Sequence, residues 1–232
     1  MKSKNTNIQS DWTKNISNIN DKLVIAKTLA EKVKDGDVIG FGSGSTSLLA
    51  VKEIGERVKK ESLNITAIPT SKEIEEECLR LKIKTSPISD LAPDWGFDGA
   101  DEIDEDGSLI KGLGGALLNE KKVMKKSPKT YILVDKTKFV KNLGERCPLP
   151  IECKKEQVES VIQELNKFGL KSYKLRMVDG ENPYITEHGN NILDCYFESI
   201  KPTFENDLNK VDGVVENGLF IGYNIEIITN NN

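Results

Sequence analysis

The stretch VIGFGSGSTSLLAVKEIGERVKK, residues 38–60, decides the fold class. Val38-Ile39-Gly40-Phe41 is a short, wholly apolar run, bounded on its amino side by the turn pair Asp35-Gly36. A run of that length beside β-branched residues reads as a strand buried on both faces. Leu48, Leu49, Val51, Ile54 and Val58 then recur at helical spacing, which predicts a helix from Thr46 to about Lys60. Between strand and helix stands GSGST, residues 42–46, with its glycines and hydroxyls. Backbone amides at a helix start point outward, the helix dipole favours an anion there, and small residues let that anion approach. A tight turn with a Ser/Thr cap is the plainer reading; the strand before and helix after favour the anion.

The same rhythm extends in both directions. Asp21 is expected to cap a helix reaching about Val33, with Leu23, Ile25, Ala26, Leu29, Ala30 and Val33 on its apolar face. Strands are expected at 64–69, near Ile83, up to Phe97 and at 130–134, and helices at 72–81 and 116–125. Strands separated by helices imply an α/β fold, a mostly parallel sheet flanked by helices. Ligands of such sheets sit at the carboxyl ends of the strands. The loops GSGST, DGADE (98–102) and the one after Val134 should therefore converge.

After Gly144 the texture changes. Pro148-Leu149-Pro150 breaks the pattern, a strand starts at LPIEC (149–153), and a helix follows at 156–168. Strands are expected at 171–177, 184–186 and 191–196, and a helix near 203–209. Residues 146–210 thus read as a smaller α+β domain inserted near the C-terminus. Residues 21–145 with 211–232 form the larger α/β domain, the strand-like segment 213–228 returning to the main sheet. Residues 1–20 read as a partly disordered polar tail whose Trp12 and Ile16 dock on the body.

Composition narrows the function. The 232 residues carry a formal net charge of −4, which disfavours nucleic acid as a partner. No apolar run approaches a membrane span, and residues 1–20 contain neither a secretory apolar stretch nor an arginine, so a cytoplasmic location is expected. The four cysteines lack CxxC spacing and there is one histidine, His188, so no metal-ligand set stands out and the base chemistry falls to carboxylates and lysines.

Those groups concentrate in DGADEIDEDGSLIKGLGGALLNEK, residues 98–121. Asp98 and Asp101 lie three residues apart, followed by Lys111, a glycine-rich turn and Glu120. Charges of both signs beside flexible backbone suit a pocket for a small anionic molecule. Two close carboxylates raise one pKa, which suits proton shuttling. Three other readings fail. A dinucleotide site expects an acid ending the second strand, where Pro69-Thr70-Ser71 stands. A triphosphate loop needs Gly-Lys-Ser/Thr. A calcium loop aligned on Glu102, Asp104, Asp106 and Gly107 puts Leu113 where a bidentate glutamate belongs, so 104–107 is a solvated turn. By periodicity alone Glu120, beside Lys121 and Lys122, faces solvent.

Taken together, GSGST, DGADE, KGLGGALLNEK (111–121), VDKTK (134–138), LPIEC, ITEHGNNILD (185–194) and VVENGLF (214–220) resemble the ribose-5-phosphate isomerase A family, in the family's order, from Asp21 to the end. The resemblance implies a Rossmann-like sheet and interconversion of ribose 5-phosphate and ribulose 5-phosphate without metal or cofactor, in the pentose phosphate pathway. It implies a homodimer or homotetramer with a small phosphosugar as substrate. Glu120 matches the family's proton-transferring base; Asp98, Asp101 and Lys111 match groups that open the ring and hold sugar oxygens. Ser43, Gly44, Ser45 and Thr46 match one substrate loop, Asp98, Gly99, Ala100 and Asp101 a second, and Lys111, Gly112, Leu113 and Gly114 a third. Lys138 is a further substrate lysine, and Lys22 lies where the family has a lysine near the phosphate. Two departures stand out: the family usually reads KGGGGA, with a glycine where this chain has Leu113, and the residue before the base is commonly an arginine, where this chain has Asn119. Leucine tolerates positive φ poorly, so Leu113 should occupy an ordinary backbone region or reshape the turn. A non-catalytic sugar-phosphate sensor, or a related phosphosugar isomerase or deaminase, is the alternative.

Overall fold

The computed structural model describes residues 17–230. The docking expected of Trp12 and Ile16 lies outside the described residues. The chain opens with α1 (Ile19–Ala30), then β1 (Val38–Phe41), α2 (Ser45–Glu61), β2 (Thr66–Pro69), α3 (Lys72–Arg80) and β3 (Lys84–Thr85). Next come β4 (Trp95–Gly99), β5 (Glu102–Ile103), β6 (Leu109–Ile110), α4 (Leu117–Lys126) and β7 (Thr130–Leu133). The remainder is β8 (Leu149–Cys153), α5 (Val158–Leu165), β9 (Leu170–Leu175), β10 (Asn191–Phe197), α6 (Phe204–Leu208), β11 (Val214–Asn217), β12 (Leu219–Phe220) and β13 (Ile225–Ile228).

Six strands form the main sheet in the order β13-β7-β4-β1-β2-β3, every neighbouring pair parallel. From β1 the chain first winds outward through β2 and β3, then crosses to the other side of β1 to lay down β4 and β7. The reversal leaves a crevice between the carboxyl ends of β1 and β4, where a doubly wound sheet takes its ligand. The α/β expectation holds. Ile39 and Phe41 are fully buried, as is Ile54 of α2, whose burial contributes about 1.5–3 kcal/mol. They share one core with Ile25 and Leu29 of α1 and Ile74 of α3.

Four strands, β11-β8-β10-β9, form an antiparallel sheet that shares a core with α5 and α6 through Ile151, Leu165, Leu193 and Phe204. A third sheet, β12-β6-β5, is antiparallel and short. The turn of its β5–β6 hairpin is the solvated one anticipated: Asp104 accepts hydrogen bonds from the amides of Asp106 and Ser108.

Four expectations need correction. The first helix starts before Asp21, with Asn18 at its N-cap, so Asp21 is a first-turn acid complementing the dipole instead of the cap. Residues 184–186 form no strand; Pro183 lacks an amide, and only an isolated Met177–Pro183 bridge forms there. The helix expected at 156–168 is α-helical only over 158–165, its ends winding tighter. The last segment is three strands in three sheets, of which only β13 returns to the main one, beside β7.

Candidate active site

Loops from three adjacent strands meet at the crevice. At the first, Gly42 donates to Phe97 O at 2.8 Å, drawing the end of β1 against β4. A Cβ on Gly42 would lie 2.3 Å from the Asp98 carboxyl, so only glycine fits. Gly44 then forms the N-cap of α2 without any side-chain capping bond. The Ser/Thr cap is therefore not formed, and Ser43, Ser45 and Thr46 all line the cavity.

Asp98 is the penultimate residue of β4 and is 3 % exposed; Lys111 follows β6 and is 2 % exposed. Glu120 lies in the first turn of α4 and is 5 % exposed, which corrects the solvent-facing reading. Lys111 Nζ stands 3.0 Å from Asp98 Oδ2 and 3.3 Å from Glu120 Oε2, and donates to Gly99 O at 2.6 Å. Ser43 Oγ donates to Glu120 Oε1 at 2.5 Å. Glu120 Oε2 accepts no hydrogen bond from any described residue. The local geometry thus makes a carboxylate held through one oxygen by Ser43, its other oxygen facing the Lys111 ammonium without a hydrogen bond.

The electrostatics follow from burial. Desolvation, aided by the nearby Glu120 charge, raises the Asp98 carboxyl to about 7 against the pull of Lys111. Burial alone would lower Lys111, but Asp98 and Glu120 outweigh it and push the ammonium up to about 12. The carboxylate whose charge raises Asp98 is thus Glu120, not Asp101. Asp101 is also raised by burial, against the hydrogen bond its Oδ2 accepts from the Leu113 amide at 3.1 Å.

A cavity of about 110 Å³ opens above this cluster. Its walls include Lys22, Ser43, Gly44, Ser45, Thr46, Gly99, Ala100, Asp101, Lys111, Gly112, Gly114, Glu120 and Lys138. Two expected residues stand outside it. Asp98 sits beneath, behind Glu120, in a smaller void. Leu113 is 40 % exposed, with an ordinary φ; the positive angles fall on Gly112 and Gly115, so the leucine departure leaves the turn unstrained.

One end of the cavity is built for an anion. The α2 N-terminus faces Lys22, whose Nζ donates to Ser45 Oγ at 3.0 Å, and Lys138 joins them. Burial lowers the Lys22 pKa, Asp135 opposes that, and Lys138 adds to it. Asp135 was missed from the sequence although it stands two residues past the end of β7, in VDKTK. Burial would raise its carboxyl, yet hydrogen bonds from Thr137 and Asn18 hold it low. The bond from Ser43 to Glu120 was missed as well, since it joins residues 77 apart in the chain.

The family model for ribose 5-phosphate isomerase A (phosphoriboisomerase A) matches residues 66–232. The chain belongs to this family. The enzyme of Methanocaldococcus jannaschii is 39 % identical over 210 residues, covering 88 % of this chain and 92 % of that protein. The one from Gluconobacter oxydans is 38 % identical over 214 residues, covering 89 % and 91 %. The solved structure of the M. jannaschii enzyme superposes with a TM-score of 0.87 at 36 % identity, covering 92 % of this chain and 96 % of that one. A D-ribose-5-phosphate isomerase determined in complex with phospho-erythronic acid also gives 0.87, at 33 % identity over 91 % and 95 %.

Proposed function

We propose that this chain interconverts D-ribose 5-phosphate and D-ribulose 5-phosphate by carboxylate-mediated proton transfer. The observation that carries the reading is Glu120, buried on the cavity wall with Oε1 fixed by Ser43 and Oε2 without a hydrogen bond from the described residues. Aldose–ketose exchange moves a proton from C2 to C1, and one carboxylate placed between adjacent carbons performs both halves. The enediolate oxygen that forms between them needs a donor, which Lys111 supplies at fixed position and without reorganisation. Asp101, on the cavity wall, exchanges protons with the hydroxyls during ring opening, while Asp98, carrying a proton near neutral pH, lies beneath in contact with Lys111. Phosphate held by the α2 N-terminus with Ser45, Thr46, Lys22 and Lys138 orients the reacting carbons. The phospho-erythronic acid complex of the related enzyme supports a phosphorylated, oxygen-rich ligand.

A sensor would need the anion end but not a desolvated base beside a buried lysine. We further place the activity in the cytoplasm, within the pentose phosphate pathway, in a homodimer or homotetramer. The four free, buried cysteines agree with a reducing compartment. In the described residues, no helix is long and apolar enough to cross a membrane.

Glu120→Gln tests the base. Isomerisation without added metal should fall about 10²–10⁴-fold in kcat while phosphosugar affinity changes little. A variant turning over at the parental rate would remove Glu120 from the mechanism.

A further inference from the structure

Three side chains of the antiparallel unit touch the loop and helix start that lead to Glu120, and none belongs to the cavity. Arg176, just past β9, binds Asp194 of β10 through Nε at 3.0 Å and through a second nitrogen. Its remaining terminal nitrogen donates to both Gly112 O and Leu113 O at 3.0 Å. Tyr184 presses on Gly115, where a Cβ would come 2.3 Å from the tyrosyl oxygen. His188 Nε2 donates to Asn119 Oδ1 at 2.9 Å, one residue before Glu120.

The Arg176 contact determines which way two peptide planes face. In a trans peptide the carbonyl and the following amide point in opposite directions. With the carbonyls of Gly112 and Leu113 both drawn to one guanidinium, the amides of Leu113 and Gly114 turn the other way. The Leu113 amide indeed meets Asp101 Oδ2 on the cavity wall, and Gly114 lines the cavity beside Lys111. The guanidinium is itself fixed by two bonds to one carboxylate, so it is a rigid template and not a mobile surface charge.

We propose that Arg176 is a positioning residue for the isomerase reaction: it fixes the peptide planes at 112–114 so that the Leu113 amide holds Asp101 on the cavity wall and the Gly114 amide faces the oxygens of the reacting sugar. The proposal rests on the isomerase reading above. It gives the Arg176–Asp194 pair a role in turnover, although neither residue touches substrate.

The test compares wild type, E120Q, R176A, R176K and D194N in ribose 5-phosphate turnover, with thermal midpoints alongside. R176A should lose about 30- to 100-fold in kcat, the scale of a misplaced catalytic loop, while KM, governed by the distant phosphate, moves less than about threefold. R176K, with a compact ammonium in place of the planar fork, should recover little of that loss. Guanidinium ion at tens of millimolar should restore part of the R176A rate but none of the E120Q rate. Should R176A fail to fold, D194N keeps the arginine and unlocks it, and should lower kcat about tenfold with the midpoint nearly kept. A parental kcat in R176A or in a folded D194N would overturn the proposal, as would a loss confined to KM. An active wild type with inactive E120Q sustains the isomerase reading whatever Arg176 does. An inactive wild type defeats that reading, and this proposal with it.

Discussion

Lys111→Met removes the cation that lies between the buried carboxylates of Asp98 and Glu120. At an effective dielectric near 20, a unit charge 3.0 Å from Asp98 and 3.3 Å from Glu120 interacts with each by about 5 kcal/mol. Relief from desolvating the ammonium returns several kcal/mol, and breaking a buried pair costs about 3–5 kcal/mol net. The cost depends on pH, and its sign follows from Asp98. Folding raises that carboxyl from 3.8 to about 7, so between those values the folded chain holds a proton that the unfolded chain has released. Stability therefore falls as pH rises through the window. Without Lys111, burial and the Glu120 charge are opposed by the Gly99 amide hydrogen bond, the Asp98 pKa climbs further, and the falling limb extends above 7. Urea unfolding should show a deficit of about 2 kcal/mol at pH 5.5 and about 4 kcal/mol at pH 8.5 relative to wild type. Adding Asp98→Asn should return part of the alkaline deficit, because it removes one of the two facing anions. A deficit equal at both pH values, or below about 1 kcal/mol, would refute the coupled cluster.

Ser43→Ala should lower kcat about 10- to 100-fold with KM little changed, because a hydrogen bond to a charged acceptor is worth about 1.5–3 kcal/mol; Ser43→Thr should keep most of the rate. Gly115→Ala forces a Cβ onto a φ of 87° and against the Tyr184 hydroxyl, so it should cost about 2–3 kcal/mol in urea unfolding and slow turnover. Removing the tyrosine ring in the same chain should recover the steric part alone.

The parts of this fold legible in sequence are those whose side chains repeat. The β1–loop–α2 unit shows because both faces of β1 are buried and α2 turns one apolar stripe inward. Strands β5, β6 and β12 are two residues each, too short for any period, and their mini-sheet was invisible although it delivers Lys111 to the site. The site was readable as motif and chain order, not as pairing. Asp98 stood out, but its partner was taken to be Asp101, the near neighbour in sequence. The real partner is Glu120, brought in by packing α4 across the end of β4.

Glu120 and Lys121 show why local charge patterning misled. Consecutive helical residues are separated by about 100° around the axis, so both cannot face one environment. Water on one side and a pocket on the other was the natural inference, yet Lys121 is 1 % exposed. Its Nζ lies 3.1 Å from Glu205 Oε1 and 3.0 Å from Glu216 Oε1, and donates to Asn217 O at 2.8 Å. Those partners come from α6 and β11, more than eighty residues on, where no local pattern reaches. Lys111 and Lys121 also both approach the Phe220 ring, at 5.5 and 4.7 Å. Helix α4 is therefore held by two buried ion clusters on different faces, one containing Glu120 and one containing its neighbour Lys121. Apolar packing alone would permit small rotations of a helix this short, since neighbouring hydrophobic contacts are nearly interchangeable. Two charge clusters permit none without leaving a buried ion unpaired, a penalty of several kcal/mol. The rotational setting of the proposed base is thus fixed by ionic contacts on the far side of its own helix.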